Sequence, residues 1–135
     1  MSAEAFLDSD VLVYLFDSTA PAKRQRAESL IAECLAVSSA CISHQVVQET
    51  LNVMIRKLNA SQQQVGHFLS NVLMPLWKIN PTQALYVAAL SIRARFQFSF
   101  YDSLVVAAAL EANCATRFSE DLQHGQRIDQ LTLIN

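Results

Sequence analysis

Residues 6–16 read FLDSDVLVYLF, and the order of residue types in this stretch decides the fold. An apolar run over 5–7 stops at two carboxylates, Asp8 and Asp10, and gives way to a second apolar stretch through Phe16. Such a run predicts a buried strand whose carboxyl end carries charge and opens into a helix. The pattern returns near the other end of the chain, where residues 115–118 lead into Ser119, Glu120 and Asp121. Further short apolar or β-branched runs at 40–42, 76–79 and 131–134 predict strands. Longer helical patterns fill 22–36, 45–58, 61–74, 82–96 and 103–113. Strands alternating with helices predict an α/β fold, a mostly parallel sheet with helices on both faces. Ligands of such sheets bind beyond the carboxyl ends of the strands, which is where these acidic residues fall.

Composition narrows the reading. The chain has 135 residues, 52% hydrophobic and 16% charged, which predicts one compact domain over 1–135 rather than a disordered tail. Only Gly66 and Gly125 supply glycine. Hairpin-rich β folds, the Walker A loop and the dinucleotide GxGxxG turn are thereby set aside. Ten Lys and Arg against twelve Asp and Glu give a net charge of -2, so any nucleic-acid contact must be local. The longest apolar run, Leu104 to Leu110, has seven residues against the ~18 a membrane span requires. No basic stretch leads into an apolar one at the N-terminus, so a cytoplasmic protein is expected. Cys34, Cys41 and Cys114 lack zinc-like spacing and read as reduced core thiols.

Taken singly, each acidic residue has an ordinary explanation. Asp10 and Asp102 could cap the helices that follow them, Glu49 could be a solvated helix residue, and Asp121 could form a turn. Their shared placement at one sheet edge points elsewhere. Neither Glu49 nor Asp102 has a Lys or Arg three or four residues away. Two carboxylates ~5 Å apart repel by about 3 kcal/mol at an effective dielectric of 20. If Asp8, Glu49, Asp102 and Asp121 converge, they must hold protons or bind a cation. With oxygen donors alone, Mg²⁺ or Mn²⁺ is the expected ion. Such an ion polarises a phosphodiester and activates water, which is nuclease chemistry. His44, His67 and His124 show no ligand spacing, and no serine or cysteine has a nucleophile's context.

The segments FLDSDVLVYLF, QVVQETLNV, FYDSLVVAAAL and TRFSEDLQHG together resemble the four acidic motifs of PIN domains, in order and spacing across nearly the whole chain. Within that group the short length and the SEDLQHGQ ending are most similar to VapC-type toxins of bacterial toxin-antitoxin pairs. The resemblance implies a three-layer α/β/α sandwich and a Mg²⁺- or Mn²⁺-dependent endoribonuclease acting on RNA, often a homodimer and inhibited by a cognate antitoxin. It assigns Asp8, Glu49, Asp102 and Asp121 to the metal and catalytic positions, with Ser119 as a supporting hydroxyl. Asp10 stands where that family usually has Asn, and joins the metal shell or only caps a helix. Arg24, Arg26, Arg93 and Arg95 are candidates for gripping RNA, against a plain reading as solvated helix residues. Dehalogenase-like phosphatases and receiver domains fit less well, lacking the downstream Gly-Asp or the Lys they need. The alternatives are an RNA-processing nuclease of the same fold that is not a toxin and, outside enzymes, a metal- or partner-binding module that has lost catalysis.

Overall fold

The computed structural model describes residues 5–37, 40–112, 116–118, 127–128 and 131–134. Strand β1 (Ala5–Leu7) is buried at every position, as is β2 (Ala40–Ser43). Strands covered on both faces can be apolar throughout, which is why these runs show no alternation. Helix α1 (Ser9–Val13) and a 3₁₀ turn (Tyr14–Phe16) follow β1, and α2 (Pro21–Val37) crosses to β2. Then come α3 (His44–Arg56), α4 (Gln62–Phe68), a π-helical turn (Leu69–Leu73), α5 (Met74–Leu76) and β3 (Trp77–Ile79). Helices α6 (Gln83–Phe96) and α7 (Phe100–Glu111) precede β4 (Thr116–Phe118), β5 (Arg127–Ile128) and β6 (Leu131–Ile134).

The six strands run in the order β3-β2-β1-β4-β6-β5, parallel throughout except for the β5–β6 pair. This is the expected three-layer α/β/α sandwich. Ala5 pairs with both Ala40 and Thr116, so β1 lies between β2 and β4 and the connection reverses direction there. In open parallel sheets the carboxyl ends of the strands at such a reversal, here β1 and β4, are the usual ligand position. Phe6, Leu7, Leu12, Ile42, Val46, Met54, Leu73 and Leu76 are the largest fully buried side chains. Helix α7 is buried along Ser103 to Ala109, as its uninterrupted apolar sequence requires. Cys34 and Cys41 are buried thiols, and Cys114 lies outside the described residues.

The sequence-predicted elements recur with instructive shifts. The single helix expected over 61–74 is divided, with a π-helical turn ahead of Pro75 and α5 ending at Leu76, so β3 starts one residue late. Proline lacks the N–H that an uninterrupted helix would use. Strand β5 has two residues, too few to leave a periodic signal. Helix α7 begins at Phe100 because Ser99, rather than Asp102, caps it. Among the described residues, no helix is long and apolar enough to cross a membrane.

His44 opens α3, as its position before the periodic stretch predicts. Its Nδ1 is buried without a hydrogen-bond partner among the described residues, and burial lowers the imidazole pKa below its ordinary 6.5. The folded protein therefore binds a proton on His44 less readily than the unfolded chain, which takes one up below about pH 6.5. The linked stability is present above that pH and is lost as pH falls from it through the lower pKa of the folded state. Denaturant unfolding of His44→Gln beside wild type at pH 7.5 and 5.5 should show a smaller acid-induced loss in the variant. Parallel losses would show that His44 plays no part.

Candidate functional site

Asp8 follows the last residue of β1 and is only 4% exposed. Its Oδ1 accepts a hydrogen bond from the Ser9 backbone N–H at 2.7 Å, making Asp8 the N-cap of α1. The sequence reading gave a cap role to Asp10. Asp10 instead sits half-buried in the first turn of α1. Capping thus fixes the carboxylate of Asp8 at the carboxyl end of the strand.

Glu49 is brought to the same place from α3. Ser9 Oγ donates to Glu49 Oε2 at 2.8 Å, and Gln45 Nε2 donates to Glu49 Oε1 at 2.8 Å. Gln45 and Glu49 stand four residues apart, so they share a helix face. Gln45 is buried and Glu49 half-buried, which replaces the solvated placement open to a lone helix Glu. Both donors are neutral. They orient the carboxylate and leave its charge in place, and among the described residues Glu49 has no cationic partner.

Gln45 Nε2 also reaches the backbone carbonyl of Tyr101 at 3.3 Å, which ties α3 to the start of α7 beside Asp102. At that start Ser99 Oγ accepts from the Asp102 N–H at 3.1 Å, and Ser103 Oγ donates to the Ser99 carbonyl at 2.8 Å. Because Ser99 does the capping, the Asp102 carboxylate is released from the role that its sequence position offered. One continuous set of bonds therefore links the neighbourhoods of Asp8, Glu49 and Asp102. Ser43, the last residue of β2, adds a buried Oγ that has no hydrogen-bond partner among the described residues. Sequence reasoning missed Ser9, Gln45 and Ser99 as positioning residues; the Gln45/Glu49 spacing was the one local signal available.

Asp121 and Ser119 lie outside the described residues. Among the described residues, no three His, Cys, Asp or Glu side chains make up a metal-holding group by themselves. The donors present, Asp8, Glu49 and Asp102, are hard oxygens, a chemistry that suits Mg²⁺ or Mn²⁺ over softer ions. Of the arginines, Arg24 pairs with Glu28 at 3.0 Å on an exposed helix face, which accounts for it as a solvated residue. Arg95 lies over the Phe96 ring, 4.8 Å from its centroid. A concavity of about 810 Å³ between the 3₁₀ turn, α3 and α4 is lined by Leu15, Phe16, Met54 and Phe68 and contains none of the three acidic residues.

Residues 5–126 match the family described as the PIN domain. The chain belongs to the PIN domain family. No curated protein matches the sequence. Among solved structures, the PIN chain is similar to a toxin-antitoxin complex from Klebsiella pneumoniae, with TM-score 0.67, 16% identity and 96% of each chain covered. It is also similar to VapBC2 from Rickettsia felis bound to a DNA fragment from its promoter, with TM-score 0.66, 20% identity and 96% of each chain covered. A third similar structure is VapC20 of Mycobacterium tuberculosis, a toxin that cleaves the sarcin-ricin loop. It gives TM-score 0.62 and 17% identity, covering 87% of this chain and 90% of that one. At these identities the likeness is one of fold.

The caps can be told apart by stability. Ser99→Ala should cost about 1 kcal/mol in denaturant unfolding, the usual loss for a hydroxyl N-cap, and Asp102→Asn should cost nothing. A loss on Asp102→Asn with none on Ser99→Ala would return the capping role to Asp102.

Proposed function

We propose that this PIN chain is a Mg²⁺- or Mn²⁺-dependent endoribonuclease and the toxin of a toxin-antitoxin pair, acting in the cytoplasm as one unit over residues 1–135. The observation that carries the reading is the hydrogen-bonded chain from Asp8 and Ser9 through Glu49 and Gln45 to the backbone beside Asp102, at the point where the parallel sheet reverses. Asp8 and Asp102 would hold the principal ion, Glu49 and Asp121 would complete or extend the set, and Asp10 and Ser119 would support it. When bound, the ion supplies a Lewis acid for the phosphodiester and lowers the pKa of an attacking water.

The chain's own residues then have distinct tasks. Ser9 and Gln45 hold Glu49 in one orientation with uncharged donors, so its negative charge remains for the ion. The α1 cap holds Asp8, and Ser99 leaves the Asp102 carboxylate outside the capping bond. Cleavage on this scheme leaves a 5′ phosphate and a 3′ hydroxyl. The similar toxin-antitoxin complexes support an antitoxin as partner, and a homodimer is proposed as the working form.

Purified protein should cut single-stranded RNA in Mn²⁺ and leave it intact in EDTA. Asp8→Asn and Asp102→Asn should each reduce the rate by 100-fold or more, on the order of a lost principal electrostatic contact, with unchanged circular dichroism. Equal cutting by both variants would remove the mechanism.

A further inference from the structure

Residues 93–102 read RARFQFSFYD, with four aromatic residues in six positions immediately ahead of Asp102. The fold uses them in two different ways. Phe96 and Phe98 are half-buried against the core, their rings stacked with centroids 5.6 Å apart and planes 13° apart. Gln97 between them is left-handed, with φ of 59°, and closes α6. This packing makes the α6–α7 corner firm. Phe100 and Tyr101 face outward from it, 38% and 66% exposed, and meet edge to face at 5.5 Å.

Two large aromatic side chains exposed at this corner lead directly into Asp102, a proposed ion ligand. Tyr101 is positioned as well as exposed. Its carbonyl accepts from the same Gln45 nitrogen that donates to Glu49, so the aromatic pair is pinned to the acidic set. Exposed Arg93 lies in the last turn of α6, at the same corner.

We propose that Phe100 and Tyr101 form a stacking platform for an unpaired base next to the scissile phosphate, with Arg93 contacting the adjoining backbone. The proposal rests on the ribonuclease reading and specifies its substrate as single-stranded RNA at this position. Stacking requires no positive field, so it gives a chain of net charge -2 a way to hold a polyanion. The competing occupant is a second copy of this chain, because Tyr86, Val87 and Leu90 on α6 are also exposed. Arg93 lies three residues beyond Leu90, so that stripe ends in a positive charge. A cation and two exposed aromatic rings leading to Asp102 match a phosphate-bearing strand better than an apolar face.

The test uses the full chain and a short unstructured oligoribonucleotide, with binding read by fluorescence anisotropy in Ca²⁺ and cleavage in Mn²⁺. Tyr101→Ala should weaken binding roughly 5- to 150-fold, the range for one lost base stack. It should raise KM while kcat stays within about twofold, and Tyr101→Phe should restore both. An abasic scan of the RNA should locate one position where wild type loses affinity and Tyr101→Ala loses no more. Cutting by wild type with an unchanged KM in Tyr101→Ala and Phe100→Ala would overturn the platform and leave the nuclease reading standing. Unchanged RNA affinity with lost self-association in sedimentation would give the face to a second copy and likewise overturn it. Wild type that neither binds nor cuts RNA overturns both.

Discussion

Glu49 is held by Ser9 Oγ and Gln45 Nε2, and the neutrality of those two donors is the constraint on which the rest of the site depends. A Lys or Arg at either place would satisfy the carboxylate and discharge it. Hydroxyl and amide donors fix its direction and bring no compensating charge, so on the proposed reading any repulsion with Asp8 and Asp102 would favour a divalent cation. At ~5 Å and an effective dielectric of 20 each pair would contribute about 3 kcal/mol, comparable with a sizeable fraction of a small domain's net stability.

The acidic residues are attached to the best-buried parts of the fold. Asp8 follows a strand with no exposed position, and Asp102 lies in the first turn of a helix buried from Ser103 to Ala109. The parallel sheet brings the carboxyl ends of its strands to one edge, and the reversal at β1 opens that edge. Gln45 then serves as the cross-brace, joining α3 to α7 through Glu49 and the Tyr101 carbonyl. Core packing, capping and side-chain placement thus act in the same direction.

Much of this was legible in the chain itself, for identifiable reasons. Apolar runs ending on carboxylates locate β1 and its charged end, and the unbroken apolar run after Asp102 announces a buried helix. Helix boundaries were less readable where two hydroxyl or carboxyl residues compete to cap: Ser99 lies three residues ahead of Asp102, and Asp8 two ahead of Asp10. Only backbone geometry decides such contests. The bond from Ser9 to Glu49 spans forty positions and has no local signal. The sorting of the four aromatics before Asp102 into two packed and two exposed also depends on tertiary packing.

The most direct test of the central claim is the thermal midpoint of wild type and Asp102→Asn, each followed in EDTA and across a Mn²⁺ titration. Without metal, removing one negative charge should leave the variant at least as stable as wild type. With Mn²⁺, wild type should gain about 2.7 kcal/mol at a hundred times its dissociation constant, and the variant little or nothing. A wild-type midpoint indifferent to Mn²⁺, or an equal rise in both proteins, would contradict an ion held by these carboxylates.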